Sequence, residues 1–466
     1  MHLKRFILIC VCILGTVFSL KVNAQGHSID IKLKGTTDQQ VVVGYHFGKQ
    51  RLLHDTVSVD TQGMIRIAGE DSLPAGVYFL YTPSFYFEFL VSEQSFQLAL
   101  DVKDPYKSMT TSNSRENELF RNFQLQMGDY QRQQRSIIDS LSFTSGQDSL
   151  ALREKYMQLV SEMNATRQSM VESNEGTFFS DFIALMSGIQ VPGMDSIADE
   201  GDRKVAQFEY YRAHYMELVP DPQLLMRTPV IHEYVMKYFN DLVIPQADST
   251  IKAVDDYLGR LEDRPIAFRY WLVTLFNHYQ ESKIMGMDAI TVHLSENYYL
   301  TGKADWVTEE SKEEIRKEIR FIKPNLIGRT APDMRLVDTL LSPFKVQTIN
   351  TPFLVLYFYD PDCGVCRKKT PVLKEAYEDL KSQGAEVLAI STISEMDKWK
   401  DYIKKNDLNW FNAGDPQGRS NFRVDYNVRS TPKVYVLGPD RTIIAKNLDV
   451  SQLLGFIQDY KLMHDL

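Results

Sequence analysis

The sequence predicts a multidomain protein with a small antiparallel β domain, a mostly α-helical middle region and a C-terminal α/β domain with a mixed sheet. Apolar residues alternate with period two in residues 26–105 and follow a helical period in residues 106–323. Residues 324–466 instead alternate strand-like apolar runs with helical segments. At 466 residues the chain is longer than one hydrophobic core usually serves, so we expect these segments to be separate domains.

The N-terminal domain is predicted to be sandwich-like because short alternating runs are separated by turn residues. The alternating residues are Ile29, Ile31, Leu33, Val57, Val59, Ile65, Ile67, Phe96, Leu98, Leu100 and Val102. Turns are expected at Gly35, at Gln62-Gly63 and at Pro74-Ala75-Gly76. The aromatic residues of 78–89 are expected in the sheet core, with a platform for carbohydrate or peptide as the alternative.

The middle region is predicted to be helical from a single apolar stripe that begins after Pro105. Its members are Leu119, Phe120, Phe123, Met127, Tyr130, Ile137, Ile138 and Leu141. Pro265 is expected in the first turn of a later helix. No two His residues have the three-to-five-residue spacing of metal ligands, so we expect no metal.

The C-terminal region is predicted to contain a βαβ unit followed by two strands and a helix. Residues 353–359 form a continuous apolar run of strand length, followed by a predicted helix at 364–380 and a strand at 387–391. The later elements are a helix at 396–405, strands at 434–437 and 442–445 that turn at 438–440, and a helix from Ser451. This order indicates a mixed sheet with helices on both faces.

Residues 1–24 have the composition of a secretion signal. Lys4 and Arg5 precede an apolar run at 6–20, and Val22-Asn23-Ala24 is a small-residue pattern suited to signal peptidase. The run is shorter than the roughly 20 residues that span a bilayer, which favours cleavage near Ala24 over a retained anchor. We therefore expect an exported protein of the periplasm or cell envelope.

Cleavage would make the mature chain strongly acidic. It removes three of the 52 basic residues and no acidic residue, leaving 49 against 61 and a net charge of −12. This charge disfavours nucleic acid as a partner. Cleavage also removes Cys10 and Cys12, so that Cys363 and Cys366 are the only cysteines of the mature chain. Two cysteines three positions apart cannot be a disulfide scaffold for a chain of this length, which indicates a chemical use.

The Cys363-Gly364-Val365-Cys366 motif falls where a buried strand is predicted to meet a helix. Unpaired backbone N–H groups and the macrodipole at a helix start stabilise a thiolate, the species that attacks disulfides. Cys363 is therefore the candidate nucleophile. Cys366, one turn later, is the candidate resolving thiol, which displaces the mixed disulfide and closes an internal bond.

Three motifs together resemble those of the TlpA/ResA branch of bacterial thioredoxin-like thiol-disulfide oxidoreductases. The first is the opening segment 327–334, the second is the cysteine motif with Pro371 five residues later, and the third is Thr431-Pro432. The resemblance covers about the last 140 residues. The segments upstream resemble, more weakly, accessory domains of unknown function that precede such redox domains in some anaerobic bacteria.

The resemblance implies a thioredoxin fold with a cis proline at Pro432 beside the cysteines. A proline there leaves neighbouring backbone groups free to pair with an extended substrate, so Thr431 and Pro432 are the expected substrate-binding residues. The implied activity is thiol-disulfide exchange without a cofactor. The implied partners are protein thiols or disulfides and an upstream electron donor in the envelope, with net reduction of the substrate.

Three positions depart from the family where reactivity is adjusted. Asp362 replaces the usual Trp, Val365 the common Pro, and Lys369 an acid that family members often carry. The carboxylate of Asp362 opposes thiolate formation at Cys363, whereas the cations at 367–369 favour it, so the sequence leaves the sign of the shift open. It also identifies no proton acceptor for Cys366.

Several other interpretations compete with disulfide exchange. A zinc site needs four ligands, and no second cysteine pair or nearby His is present. Peroxiredoxins resemble this region too but place Thr or Ser three residues before the reactive cysteine, where this chain has Asp360. A purely structural disulfide would close a loop too short to constrain the unfolded chain much. The alternative from a different class is an envelope binding or scaffold protein with a secondary or vestigial redox domain.

Overall fold

The computed structural model describes residues 26–219 and 221–466, so the predicted secretion signal at 1–24 lies outside the described residues. The described chain forms two compact units that divide between Val235 and Met236. Helices of the middle region contribute to both units. In the described part of the chain, no helix is both long and apolar enough to cross a membrane.

The described part of the first unit begins with eight strands in two four-stranded sheets. The strands are β1 His27–Lys34, β2 Gln40–Phe47, β3 Gln50–Ser58, β4 Met64–Gly69, β5 Gly76–Tyr81, β6 Tyr86–Val91, β7 Ser95–Asp101 and β8 Thr110–Ser112. One sheet has the order β4-β1-β7-β8 and the other β3-β2-β5-β6. Alternate residues of both sheets share one buried cluster, because successive side chains of a strand point to opposite faces. The two sheets therefore pack as a sandwich.

The predicted β domain is confirmed, with one difference in strand direction. The other strand pairs of the sandwich are antiparallel, but β1 pairs with β7 in parallel. The aromatic residues of β5 and β6 alternate between the core, as with Tyr78 and Phe89, and the outer face, as with Tyr81. The period-two pattern predicted the faces of the strands, whereas pairing direction depends on how the intervening chain crosses the sandwich.

The remaining elements of the first unit are helices. They are α1 Pro105–Ser108, α2 Arg115–Leu141, α3 Gln147–Glu172, α4 Phe178–Ser187, α5 Glu200–His214, α6 Pro222–Leu225 and α7 Ile231–Lys237, the last of which runs across the division between the units. Helix α2 is capped by the Ser114 side chain. It is also tied to strand β6 by Asn117, whose Oδ1 accepts from Leu90 N at 2.8 Å and whose Nδ2 donates to Leu90 O at 2.7 Å.

The second unit starts with a group of helices and continues into a seven-stranded mixed sheet. The helices are α8 Ala247–Gly259, α9 Pro265–Gln280, α10 Asp288–Leu294 and α11 Glu309–Ile322. The elements of the C-terminal domain are β9 Leu336–Val337, β10 Pro343–Phe344, β11 Phe353–Tyr359, α12 Gly364–Ser382, β12 Ala385–Ser391, α13 Met396–Asn406, β13 Phe411–Gly414, α14 Phe422–Asp425, β14 Lys433–Leu437, β15 Ile443–Lys446 and α15 Leu453–Met463.

The predicted thioredoxin-like arrangement is confirmed. The sheet has the order β10-β9-β13-β12-β11-β14-β15, with β11 parallel to β12 and antiparallel to β14. Strand β11 is buried along its whole length because each of its two faces packs into a different hydrophobic cluster. Sequence reasoning missed β9, β10, β13 and α14, which have two to four residues each and carry too short an apolar pattern to be recognised.

The side chain of Asn117 is expected to be a stability determinant of the first unit. Asn117→Ala leaves both backbone groups of Leu90 without their buried partners and should lower the free energy of unfolding by roughly 2–4 kcal/mol in urea denaturation. Asn122→Ala, an exposed position on the same helix, is the matched control and should change stability little. Equal effects of the two substitutions would contradict this role.

Candidate active site

The turn between β11 and α12 is shaped by Asp360. Its Oδ1 accepts from Asp362 N at 2.7 Å and its carbonyl oxygen accepts from Cys363 N at 3.0 Å, which closes a tight turn directly after the buried strand. Cys363 then takes the N-cap position of α12 with extended backbone angles, and its carbonyl accepts the first helical bond, from Arg367 N. The motif thus lies at a helix start, as the sequence predicts.

The sulfur of Cys363 lies between the helix start and the loop before β14. It accepts from Cys366 N at 3.3 Å and donates to the carbonyl oxygen of Thr431 at 3.2 Å. Its side chain is half-buried, whereas Cys366 is fully buried one turn into the helix. A disulfide partner can therefore reach Cys363 first.

The pKa of the Cys363 thiol lies below its ordinary value. Burial alone would raise it, but hydrogen bonds from the backbone and thiol of Cys366, from the Thr431 side chain and from the Val365 backbone outweigh burial. The direction of the Cys363 pKa shift, which the sequence left open, is therefore downward. Backbone N–H groups of the helix start contribute to it, in keeping with a thiolate stabilised at a helix N-terminus.

The pKa of Cys366 is shifted in the opposite direction. Burial, reinforced by the adjacent Cys363, raises it to about 11. The pKa values of the two thiols of one motif are thus shifted in opposite directions, because one thiol faces the amides of the helix start and the other faces the core.

A buried set of hydroxyl groups lies in the same core cluster as Cys366. Tyr402 OH donates to Thr370 Oγ1 at 3.0 Å, and Tyr357 OH lies 3.1 Å from the same atom. On the same face of β11, Tyr359 OH accepts from Trp399 Nε1 at 3.0 Å. Sequence reasoning did not single out these residues, since aromatic residues in a buried strand usually indicate core packing alone.

Two of the departures from the family form ion pairs. The carboxylate of Asp362, next to the nucleophile, is paired with Lys398 of helix α13. Lys369 Nζ lies 2.5 Å from Asp449 Oδ2, and this contact together with hydrogen bonds from Ser451 lowers the pKa of Asp449 to about 2. Lys398 was missed by sequence reasoning because it lies 36 positions from Asp362 and on a different helix.

The Thr431-Pro432 segment lies against the cysteine motif. The peptide bond between the two residues is cis, as the family resemblance implies. Strand β14 begins at the next residue and pairs antiparallel with β11, with Lys433 opposite Phe358. This pairing carries the loop to the same edge of the sheet as the start of α12. Within the described residues, no three His, Cys, Asp or Glu side chains group closely enough to hold a metal ion.

Residues 327–446 match the AhpC/TSA family. The match lies within the C-terminal domain, whose fold is thioredoxin-like. A ResA thiol-disulfide oxidoreductase of Bacillus cereus is 24% identical over 135 residues, which are 28% of this chain and 77% of the relative. A ResA of Bacillus thuringiensis is 25% identical over 118 residues, 25% of this chain and 67% of the relative. The resemblance to thioredoxin-like thiol-disulfide oxidoreductases is therefore confirmed for this domain.

Other relatives share smaller parts. A chloroplastic peroxiredoxin Q of Arabidopsis thaliana is 37% identical over 76 residues, but these are 16% of this chain and 35% of that protein. Among solved structures, a domain of a possible thiol-disulfide isomerase from Cytophaga hutchinsonii has a TM-score of 0.29 at 26% identity and covers 30% of this chain and 96% of its own. A thioredoxin-like protein from Bacteroides caccae has a TM-score of 0.42 at 16% identity and covers 58% of this chain and 98% of its own.

The opposite pKa shifts predict selective alkylation of the reduced protein. With iodoacetamide, Cys363 should react with a pH midpoint well below that of Cys366, whose pKa of about 11 keeps it protonated at neutral pH. Peptide mass spectrometry of samples quenched between neutral and alkaline pH measures both midpoints. In urea the two thiols should react alike, which is the control. Equal midpoints in the folded protein would contradict the assignment.

The pair between Asp362 and Lys398 is expected to support the thiolate. Lys398→Met leaves the carboxylate of the residue before Cys363 without its cation, so the pKa of Cys363 should rise and its alkylation at neutral pH should slow by about two- to fivefold. Lys400→Met, on the exposed side of the same helix, is the matched control. Adding Asp362→Asn to Lys398→Met should restore the rate, and an unchanged rate in Lys398→Met would exclude the effect.

Proposed function

We propose that this protein is an exported thiol-disulfide oxidoreductase that reduces disulfides of envelope proteins through Cys363 and Cys366. The observation that carries the proposal is the position of the Cys363 sulfur, half-exposed at the start of α12 and 3.2 Å from the Thr431 carbonyl oxygen, with Cys366 buried directly behind it. The family of the C-terminal domain supports it.

The proposed reaction begins with attack of the Cys363 thiolate on a substrate disulfide. A bond forms between Cys363 and one substrate sulfur while the substrate S–S bond breaks, which releases the other substrate sulfur as a thiolate. Cys366 then gives up its proton, which ends on the substrate thiolate released first, and attacks the Cys363 sulfur. The bond between Cys363 and the substrate breaks, which releases the second substrate thiolate. The substrate gains two electrons, and the cysteine pair of this protein is oxidised to a disulfide.

The loop at Thr431-Pro432 is the proposed docking site for the substrate. Its location against Cys363 allows an extended substrate segment to pair with the backbone there while the disulfide meets the sulfur. An upstream donor of the envelope is needed to reduce the internal disulfide for another cycle. In this proposal residues 26–105 and 106–323 form accessory β and helical domains, the redox domain spans 324–466, and cleavage near Ala24 releases the mature chain.

The opposite shifts of the thiol pKa values favour exchange over a passive role in binding. A scaffold protein with a vestigial site has no need for one thiol of lowered pKa and a second of raised pKa in the same motif. Perturbed ionisation concentrated at a half-exposed nucleophile is typical of a reactive site.

Substitution of the resolving thiol should trap the substrates. Cys366→Ser prevents the second step, so mixed disulfides between Cys363 and envelope proteins should accumulate and disappear on treatment with dithiothreitol. Non-reducing electrophoresis followed by mass spectrometry identifies them. The Cys363→Ser/Cys366→Ser variant is the matched control. If Cys366→Ser traps no partner while the double variant still binds partners as the wild type does, the scaffold function replaces this proposal.

A further inference from the structure

Helix α11, which precedes the thioredoxin-like domain in the chain, contacts the segment that leads into the Thr431-Pro432 loop. Arg429, two residues before Thr431, donates from Nη1 and Nη2 to the two carboxylate oxygens of Glu318 at 3.1 and 2.9 Å. Two parallel hydrogen bonds between planar groups fix orientation as well as distance, which a single ion contact does not. The loop is therefore oriented from outside the domain to which it belongs.

A second contact fixes the same guanidinium group. Its central carbon lies 4.2 Å from the centroid of the Phe321 ring, one helical turn after Glu318. Arg429 is thus held by a carboxylate and by an aromatic face, both on α11. Its side chain cannot rotate without losing both contacts.

The end of α11 is tied to the same segment independently. Asn325, which is 2% exposed, donates from Nδ2 to the carbonyl oxygen of Asp425 at 2.9 Å. Asp425 ends the short helix α14, four residues before Arg429. The chain that leads into the loop is therefore held at two positions, Asp425 and Arg429.

The sheet beyond the loop is fixed to the helices as well. Lys446, on the edge strand β15 and 4% exposed, pairs with Asp288 of α10 and donates to the carbonyl oxygen of Asn325 at 2.9 Å. Strand β15 pairs with β14, which begins directly after Pro432. The ion pair joins a buried Lys446 to a partly exposed Asp288, so desolvation of the lysine offsets much of the attraction, while the contact fixes the edge strand against α10.

We propose that α11 positions the Thr431-Pro432 loop for docking of polypeptide disulfides, with Glu318 and Arg429 as positioning residues. This inference rests on the proposed exchange at Cys363. The pair is partly exposed, so its contribution to stability is small, and its role is to orient the backbone that an extended substrate must meet. A small disulfide that needs only the Cys363 sulfur does not depend on this orientation.

The test compares two disulfide substrates in the full-length mature protein. Reduced protein is mixed with insulin, whose disulfides lie within polypeptide, and separately with DTNB, a small aromatic disulfide. Glu318→Gln removes the charge that holds Arg429. Glu313→Gln is the matched control, because Glu313 lies on the same helix and pairs with Arg316 at 3.3 Å rather than with the loop.

Glu318→Gln should slow the reduction of insulin by about fivefold relative to the reduction of DTNB. The alkylation midpoint of Cys363 should not move, and Glu313→Gln should match the wild type with both substrates. A second variant, Arg429→Lys, keeps the charge but loses the bidentate contact, so it should show the same selective loss.

Each other outcome overturns a different statement. If the ratio of the insulin reduction rate to the DTNB reduction rate is the same in Glu318→Gln and wild type, the positioning role is overturned. An equal loss of rate with both substrates has the same consequence. A wild-type protein that reduces neither substrate would instead overturn the proposed exchange. The melting temperature of each variant, which should lie close to that of the wild type, separates loss of docking from loss of the folded protein.

Discussion

The backbone N–H groups at the start of α12 point at the sulfur of Cys363, and the other features of the site depend on this interaction. The helix start is held there because β11 is buried on both faces and ends in a turn closed by Asp360. A rigid strand leading into a helix N-terminus supplies fixed partial positive charge at one point, without requiring any cationic side chain there. Two of the neighbouring cations are in ion pairs, Lys369 with Asp449 and Lys398 with Asp362.

The same geometry separates the two thiols. One helical turn carries the chain from the half-exposed cap position of Cys363 into the core, where Cys366 lies with buried tyrosines and Thr370. Hydrogen bonds at the helix start lower the pKa of Cys363 and burial raises the pKa of Cys366, so one turn of helix separates a more acidic thiol from a less acidic one. In the proposed reaction Cys366, the resolving thiol, acts only after a substrate has bonded to Cys363. A buried position is therefore compatible with its role.

The helices before the thioredoxin-like domain have a physical connection to this site. Contacts from α10 and α11 reach both β15 and the segment before Thr431, so the loop opposite Cys363 is fixed from its own sheet and from the added helices. An extra element that packs on a sheet edge also covers backbone groups that would otherwise be open to pairing with another chain. In the proposed function, this arrangement links the accessory region to the choice of substrate.

The sequence by itself determined the fold classes of the segments, the position of the cysteine motif at a strand-to-helix junction, and the cis proline implied by the resemblance. These depend on local periodicity and on motifs a few residues long. Only the tertiary structure decided the sign of the Cys363 pKa shift, the pairing of Asp362 with Lys398 and the contact of Arg429 with Glu318. The two ion pairs join residues 36 and 111 positions apart in the chain, which no local pattern encodes. The sign of the pKa shift depends on the balance between burial of the sulfur and its hydrogen bonds, which exists only in the folded chain.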